Sequence, residues 1–379
     1  MMYRVVKAVA CFNVFWHYLW KHYDLYRLLF LKCIEQGNSV SNQVKQSNLT
    51  KLISHRLSIA PMLDWTDRHC RYFYRVMSKH TVLYTEMVTT GAILHGKGNY
   101  LAYNEQEHPV VLQLGGSDVN AMTECAKIAE QQGYDEVNIN VGCPSDRVQN
   151  GKFGACLMAE PQLVADCVAS MQNATNIPTT VKSRIGIDDL DSYEFLQQFL
   201  TTVSAAGCQH FIIHARKAWL SGLSPKQNRD IPPLDYQRVY QLKQDFPELD
   251  ISINGGITTF AQANEHMQHI DGVMIGREVY QNPYMLARAD NEIWQADSHV
   301  KSRHEVLNEM VSYIDNHVAN GGRAWHVARH MLGLCNGLAG AKQFRRYLSE
   351  NANGQDVGGE VLLQAFNRVL QLNPDLNEI

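Results

Sequence analysis

Cys143 lies in the stretch NINVGCPS (138–145), directly after an apolar run and before Pro144. A cysteine so placed can be a nucleophile, a metal ligand, a buried spacer or a proton donor. A covalent nucleophile needs an adjacent base, and none lies nearby in sequence. A metal site needs partners at ligand spacing, and these are missing too. A spacer is the ordinary fate of a small apolar thiol. An ordinary thiol titrates at about 8.5 and is mostly protonated at neutral pH, so it can give up a proton without special tuning. Other polar residues recur in similar settings, late in short apolar runs: Glu86, Gln113, Asn138 with Asn140, Lys182 with Arg184, His214 with Arg216, and Asn254. The paired residues are two apart, so on a strand each pair shares a face. Inward polar groups carry a desolvation cost unless they serve a shared site. Two further stretches, NGG (254–256) and GR (276–277), have the composition of a phosphate cradle. Their glycines let backbone N–H groups approach phosphate oxygens, and Arg277 adds charge.

The elements that must position these groups are eight short apolar runs: LSIAPM (57–62), TVLYTEM (81–87), VVLQLGG (110–116), EVNINVG (136–142), TTVKSRIG (179–186), HFIIHAR (210–216), DISINGG (250–256) and GVMIGR (272–277). Helical patterns such as VNAMTECAKIAEQQG and PQLVADCVASMQNAT separate them. Strands alternating with helices form parallel βαβ units, and eight of them predict a (β/α)8 barrel. The doubly wound competitor lacks its glycine signature, since HGKGNY has no third glycine. In a barrel the active site sits at the C-terminal ends of the strands, where every polar residue named above falls. The phosphate site follows strands 7 and 8, which is where NGG and GR lie. Beyond residue 300 the pattern is helical only. SRHE (302–305) reads as a capping box, and further helices fit 324–338, 340–350 and 358–372. The predicted organisation is an extension over 1–52, a catalytic barrel over 53–292, a linker in DNEIWQADSH and a small all-helical domain over 300–379.

The chain has 379 residues, 45% hydrophobic and 19% charged, as expected of a folded globular protein. Net charge is −4, but residues 1–52 hold seven Lys/Arg against two Asp/Glu, and Gly321–Ser349 holds five Lys/Arg and no carboxylate. Nine scattered cysteines with no C-x-x-C predict reduced thiols and a cytoplasmic protein without structural metal. No apolar run reaches the length of a membrane span. The apolar, aromatic segment before residue 50 is interrupted by charges and lacks a signal-peptide pattern. It is read as outside the fold, with an amphipathic surface helix as the alternative. A phosphate-bearing ligand with amide, lysine and histidine partners suits a flavin mononucleotide. Its pyrimidine-like edge wants an amide such as Gln113 and a cation such as Lys182.

The segments APMLDWTDRHCRYF, LYTEMVTTGAILHGKGNYL, VLQLGGSD, NVGCPSDRVQNGKFGACLM, VKSRIGIDD, FIIHARKAWLSGLSPKQNR, SINGGI and GVMIGREVYQNP carry a resemblance. Together they resemble the flavin-dependent tRNA-dihydrouridine synthases, in particular the bacterial dihydrouridine synthase A subfamily. The resemblance runs from about residue 54 to 350. It implies a barrel that binds FMN and a helical tRNA-binding domain, in a monomer that reduces the C5=C6 bond of D-loop uridines at positions 20 and 20a with NADPH. Carried to this chain, it implies FMN contacts from Pro61, Met62, Leu63, Gln113, Lys182 and His214, with Asn254, Gly255, Gly256, Gly276 and Arg277 at the phosphate. It implies that Cys143 is the proton donor to C5, with Asn140 near the base. The tRNA would be oriented by Lys226, Arg229, Arg345 and Arg346. The target base must leave its stack to reach a barrel mouth. A flavin barrel acting on a free pyrimidine or another small enone remains the alternative; it would not need the basic helical domain. His326 and His330, four apart, lack a third ligand for a metal.

Overall fold

The computed structural model describes residues 53–377, and the extension expected over 1–52 lies outside the described residues. Eight parallel strands close into a barrel in sequence order. They are β1 (Leu57–Ile59), β2 (Val82–Thr89), β3 (Val110–Gly115), β4 (Glu136–Val141), β5 (Thr179–Arg184), β6 (His210–His214), β7 (Asp250–Asn254) and β8 (Gly272–Ile275). Each of the eight expected runs forms its strand. A helix follows every one: α1 (Arg68–Met77), α2 (Thr90–His95), α3 (Val119–Gln131), the pair α4 (Asp146–Asn150) and α5 (Pro161–Ala174), α6 (Tyr193–Ala205), α7 (Tyr236–Asp245), α8 (Phe260–His266) and α9 (Arg277–Gln281).

The alternation of β4, EVNINV, explains the division of the core. Val137, Ile139 and Val141 point outward into the large apolar layer shared with the helices. Glu136, Asn138 and Asn140 point inward and are buried. Branched apolar residues usually fill a barrel interior. Here apolar residues fill only part of it, as the separate cluster of Ala60, Val82, Tyr84, Val111, Ile212 and Met274. A bulge between Tyr84 and Met87 shifts the register of β2 against β3. Such an extra residue re-aims the side chains beyond it. Glu86 accordingly reaches the loop after β1, where its Oε1 accepts the Asp64 N–H at 2.5 Å.

The expected linker is partly helical. α10 (Ala289–Trp294) occupies its first half. Asp290 is buried there and accepts from Ser78 Oγ at 2.6 Å and the Lys79 N–H at 2.8 Å. The helical layer comprises α11 (Arg303–Ala319), α12 (Ala324–Ala328), α13 (Ala341–Asn351) and α14 (Glu360–Leu370). The capping box forms as expected: Ser302 Oγ accepts the Glu305 N–H, and Glu305 accepts the Ser302 N–H. The helix expected over 324–338 ends early, as α12 and a 3-10 turn over Arg329–Met331. Two glycines follow that turn. A Cβ on Gly333 would meet the Gln281 carbonyl at 2.4 Å, and Gly337 adopts φ 82°.

Asp67 ties this layer to the barrel. Its Oδ1 accepts the His69 and Cys70 N–H groups and caps α1, while its Oδ2 accepts from Arg329 at 2.7 Å and His330 at 3.0 Å. Burial pushes the Asp67 carboxyl up, but His330, the Cys70 N–H and Arg329 outweigh it and hold it below the usual carboxylate range. A depressed folded-state pKa contributes stability above the unfolded value, about 3.9, which is lost as pH falls through the folded one. Asp67→Asn is therefore expected to cost about 1–3 kcal/mol at pH 7. Denaturant titrations should show the gap to wild type closing below about pH 4.

Candidate functional site

The strand ends bring the predicted polar residues to one mouth. Lys182 Nζ donates to Asn254 Oδ1 at 3.0 Å, and Asn254 Nδ2 donates to the Met274 carbonyl at 2.8 Å. Registers of Asn140 with Lys182 and of His214 with Asn254 align these groups across four neighbouring strands. Gln113 is buried, donates to Asn138 Oδ1 and accepts from Asn140 Nδ2, both at 2.8 Å. An amide of this kind keeps one further N–H and one lone pair for a ligand.

The mouth is electropositive. Burial, with the repulsion of Arg184, lowers the Lys182 pKa to about 7. Burial also pushes His214 well below its ordinary value, helped by Arg184, Lys182, Arg216 and Arg229. Arg184 itself falls to about 10, through burial and then through Arg229 and Arg216. Burial is the first cause of each shift, and a bound anion would offset the remaining repulsion among Lys182, Arg184, Arg216 and Arg229.

The turn after β7 is a cradle only glycine can form. Gly255 and Gly256 have φ 120° and 72°, and a Cβ on Gly255 would lie 2.8 Å from His214 Cδ2. Tyr236 OH donates to the Gly255 carbonyl at 2.7 Å and holds the turn. Gly276 begins α9, and a Cβ there would make only ordinary contact with Ala60 and Met62. Arg277 Nη1 donates to Asp230 Oδ1 at 2.9 Å, so it closes the loop after β6 over the end of β8. Pro61 and Met62 are half-buried, and Leu63 is 66% exposed, on the loop after β1 that Glu86 holds.

Cys143 is half-buried on the loop after β4. Its N–H donates to Asn140 Oδ1 at 3.0 Å and its thiol to Ser145 Oγ at 3.5 Å. Its carbonyl accepts the Ala155 N–H at 2.9 Å. Gly154, at φ 77°, permits that approach, because a Cβ would meet the Cys143 carbonyl at 2.6 Å. Arg184 supports the same loop from the other side. Its Nε donates to the Gly142 carbonyl at 2.9 Å, and its Nη1 to the Lys217 and Asn228 carbonyls. Arg184 thus lies buried beneath the mouth as a loop clamp, although the i,i+2 pattern placed it beside Lys182 as a site residue.

The basic residues are dispersed differently from their order in the sequence. Lys226 and Arg229 are exposed on the loop after β6, while Lys217 pairs with Asp191 at 2.7 Å. Within the carboxylate-free stretch, Arg329 meets Asp67, and Arg346 meets Glu350 at 2.7 Å on the surface of α13. Arg345 is half-buried beside it. His326 bonds His317, and His330 bonds Asp67 and Tyr280, so the two do not converge. The residues that pattern reading passed over are Glu136 and Thr180, inside the barrel below Asn138. Glu136 did carry a signal, since it stands two residues before Asn138 and four before Asn140 on one strand face.

A closed (β/α)8 barrel with basic residues at its mouth, a glycine cradle after β7 and a thiol on a clamped loop after β4 is the framework of a barrel enzyme. Residues 58–371 match the family described as Dihydrouridine synthase (Dus), and the chain belongs to that family. It is 63% identical over 319 residues to a tRNA-dihydrouridine(20/20a) synthase of Vibrio vulnificus, covering 84% of this chain and 98% of the relative. It is 63% identical over 322 residues to one of Shewanella oneidensis, covering 85% and 96%. It is 60% identical over 339 residues to one of Escherichia coli K12, covering 88% and 98%. Among the described residues no helix is long and apolar enough to cross a membrane.

Proposed function

We propose that this chain is a tRNA-dihydrouridine synthase, a cytoplasmic monomer that reduces uridines 20 and 20a of the tRNA D-loop with FMN and NADPH. One observation supports this reading best: the Cys143 thiol, on a loop clamped through its backbone, stands at the same mouth as Gln113, Lys182 and the glycine turn after β7. The residues fit FMN. The Gly255–Gly256 turn, Gly276 and Arg277 would take the phosphate, with Asn254 holding Lys182 in place. Gln113, Lys182 and His214 would meet the ring, and Pro61, Met62 and Leu63 would cover its edge. When bound, FMN would supply the hydride that adds to C6 of the uracil.

The remaining chemistry falls to this chain. Addition at C6 leaves enolate-like charge on C5 and its neighbouring carbonyl, and the Cys143 thiol gives its proton to C5. Asn140 spends its oxygen on the Gly142 and Cys143 N–H groups and one N–H on Gln113. It keeps one N–H to offer the base or ribose. Lys182 supplies positive charge where the ring system becomes electron-rich. Lys226 and Arg229 at the rim, with Arg345 and Arg346 on α13, bind tRNA phosphates and orient the strand.

The test is FMN-loaded protein with NADPH and undermodified tRNA, scored for dihydrouridine beside free uridine. Turnover on tRNA alone is the expected result. Equal or better turnover on the free nucleoside would replace this reading with a small-molecule reductase. The double variant Arg345→Glu, Arg346→Glu is expected to weaken tRNA binding at least about tenfold at physiological salt. Its flavin absorbance per protein should be unchanged; an unaltered affinity would remove α13 from the tRNA surface.

A further inference from the structure

The floor of the barrel holds a buried polar group that the proposed reaction does not use. Glu136 Oε2 is 2.9 Å from His55 Nε2, and both side chains are almost fully buried. The His55 ring packs against His210 in a tilted arrangement with centroids 3.8 Å apart, and His210 bonds Ser252 Oγ. Two histidines and a glutamate are a zinc ligand set. However, two imidazoles on one tetrahedral ion, with Zn–N of about 2.0–2.1 Å, keep their ring centroids about 5 Å apart. This pair is too close for that, and the group is better described as an ion pair. Burial opposes charge on His55, but Glu136 outweighs it and raises its pKa.

From this pair a chain of side-chain hydrogen bonds climbs the barrel. Thr180 Oγ1 donates to Glu136 Oε1 at 2.6 Å. Asn138 Nδ2 donates to Thr180 Oγ1 at 2.9 Å. Gln113 Nε2 donates to Asn138 Oδ1, and Asn140 Nδ2 donates to Gln113 Oε1, both at 2.8 Å. Asn140 Oδ1 then accepts the Gly142 and Cys143 N–H groups at 3.2 and 3.0 Å. Every donor points toward the floor. The direction follows from its lowest bond, in which Thr180 Oγ1 is the donor and Glu136 Oε1 the acceptor. Thr180 has one proton and must spend it on Glu136, which leaves its lone pair for Asn138. Each amide above then has one orientation that satisfies both neighbours, since a flip sets oxygen against oxygen on one side and N–H against N–H on the other.

We propose that Glu136, held by His55 at the barrel floor, sets the orientation of the Asn140 amide through Thr180, Asn138 and Gln113, and thereby positions the Cys143 loop. Glu136, His55, Thr180 and Asn138 are positioning residues in this scheme. The same polarity decides which edge Gln113 presents to a ring at the mouth. The chain is an orienting device and not a proton path, because carboxamides do not pass protons readily at neutral pH. The inference rests on the reading of Cys143 as proton donor.

Thr180→Val removes the connecting hydroxyl at nearly constant volume. In the full chain, alkylation of Cys143 by iodoacetamide, resolved by peptide mass spectrometry, is expected to quicken about fivefold as the loop loosens. The kcat on undermodified tRNA should fall about tenfold, with KM for tRNA within about twofold of wild type. Thr180→Ser keeps the hydroxyl and should restore both. If the valine protein does not fold, Thr180→Cys, with its weaker donor, should fall between serine and the broken chain. A wild-type alkylation rate and kcat in Thr180→Val, or in Thr180→Cys where that variant stands in for it, overturns the proposal. So does an equal loss in Thr180→Ser, which would mark a packing effect. Full turnover by Cys143→Ala would remove the proton-donor reading alone, and the alkylation comparison would still report on the chain.

Discussion

Cys143→Ala is expected to keep its flavin spectrum and its tRNA affinity while kcat falls about 10²–10⁴-fold, the usual share of a positioned general acid. The substitution is small and local. The clamp on the loop uses the Cys143 N–H and carbonyl, and Arg184 grips the Gly142 carbonyl, so all of these bonds survive the loss of sulfur. Only the weak thiol bond to Ser145 goes. A loss confined to kcat marks an interaction made in the transition state, whereas a spacer would show itself as lost flavin or a lower thermal midpoint. Single-turnover reduction of undermodified tRNA by prereduced enzyme isolates the step. Turnover near wild type would return Cys143 to the status of a packing residue.

Lys182→Met should weaken flavin binding about 100-fold, because a charge-assisted contact at a preorganised site is lost. The same substitution should make the flavin-free protein more stable, which is the less obvious half. Burial and Arg184 lower the Lys182 pKa from 10.5 to about 7. Between those values the unfolded chain binds more protons than the folded one, so stability rises with pH across the window. Below pH 7 the folded protein bears the whole cost of a buried ammonium. Methionine removes that cost, on the order of 2 kcal/mol at pH 6 once solvent at the open mouth is allowed for, and the gain fades toward pH 10.5. Thermal melts of flavin-free protein at pH 6 and pH 9 check the sign. A destabilised variant at pH 6 would mean that Lys182 is held by partners other than Asn254 and is not a poised cation.

The strands were legible because each is short, apolar on its outer face and closed by glycine or a polar residue. Parallel pairing in order then leaves little freedom, and the barrel follows. The late polar residues were legible for the same reason, since strand ends are where such a barrel carries its chemistry. Three features escaped pattern reading. The bulge in β2 re-aims Glu86 toward the loop after β1, and no local signal in TVLYTEM marks it. The close packing of Gly333 against Gln281, 52 residues earlier, just beyond the end of the helix at 331, has no local signal either. The basic stretch near the C-terminus holds no carboxylate along the chain, yet Asp67 of the barrel neutralises Arg329 across space.

By itself the sequence determined the eight-strand barrel, the helical region that follows it, the family and the residues that ring the mouth. Periodicity and motif spacing are local properties, and they survive being read along a line. Only the tertiary structure decided what those residues do to one another. Arg184 is a loop clamp, its charge felt by Lys182 from beneath the mouth, because three carbonyls from two loops converge on it. Glu136 is a foundation of the cysteine loop because strands β3, β4 and β5 stand side by side with their inner faces in register. Hydrogen-bond direction and pKa depend on distance and burial among residues far apart in the chain, so they exist only once the barrel has closed.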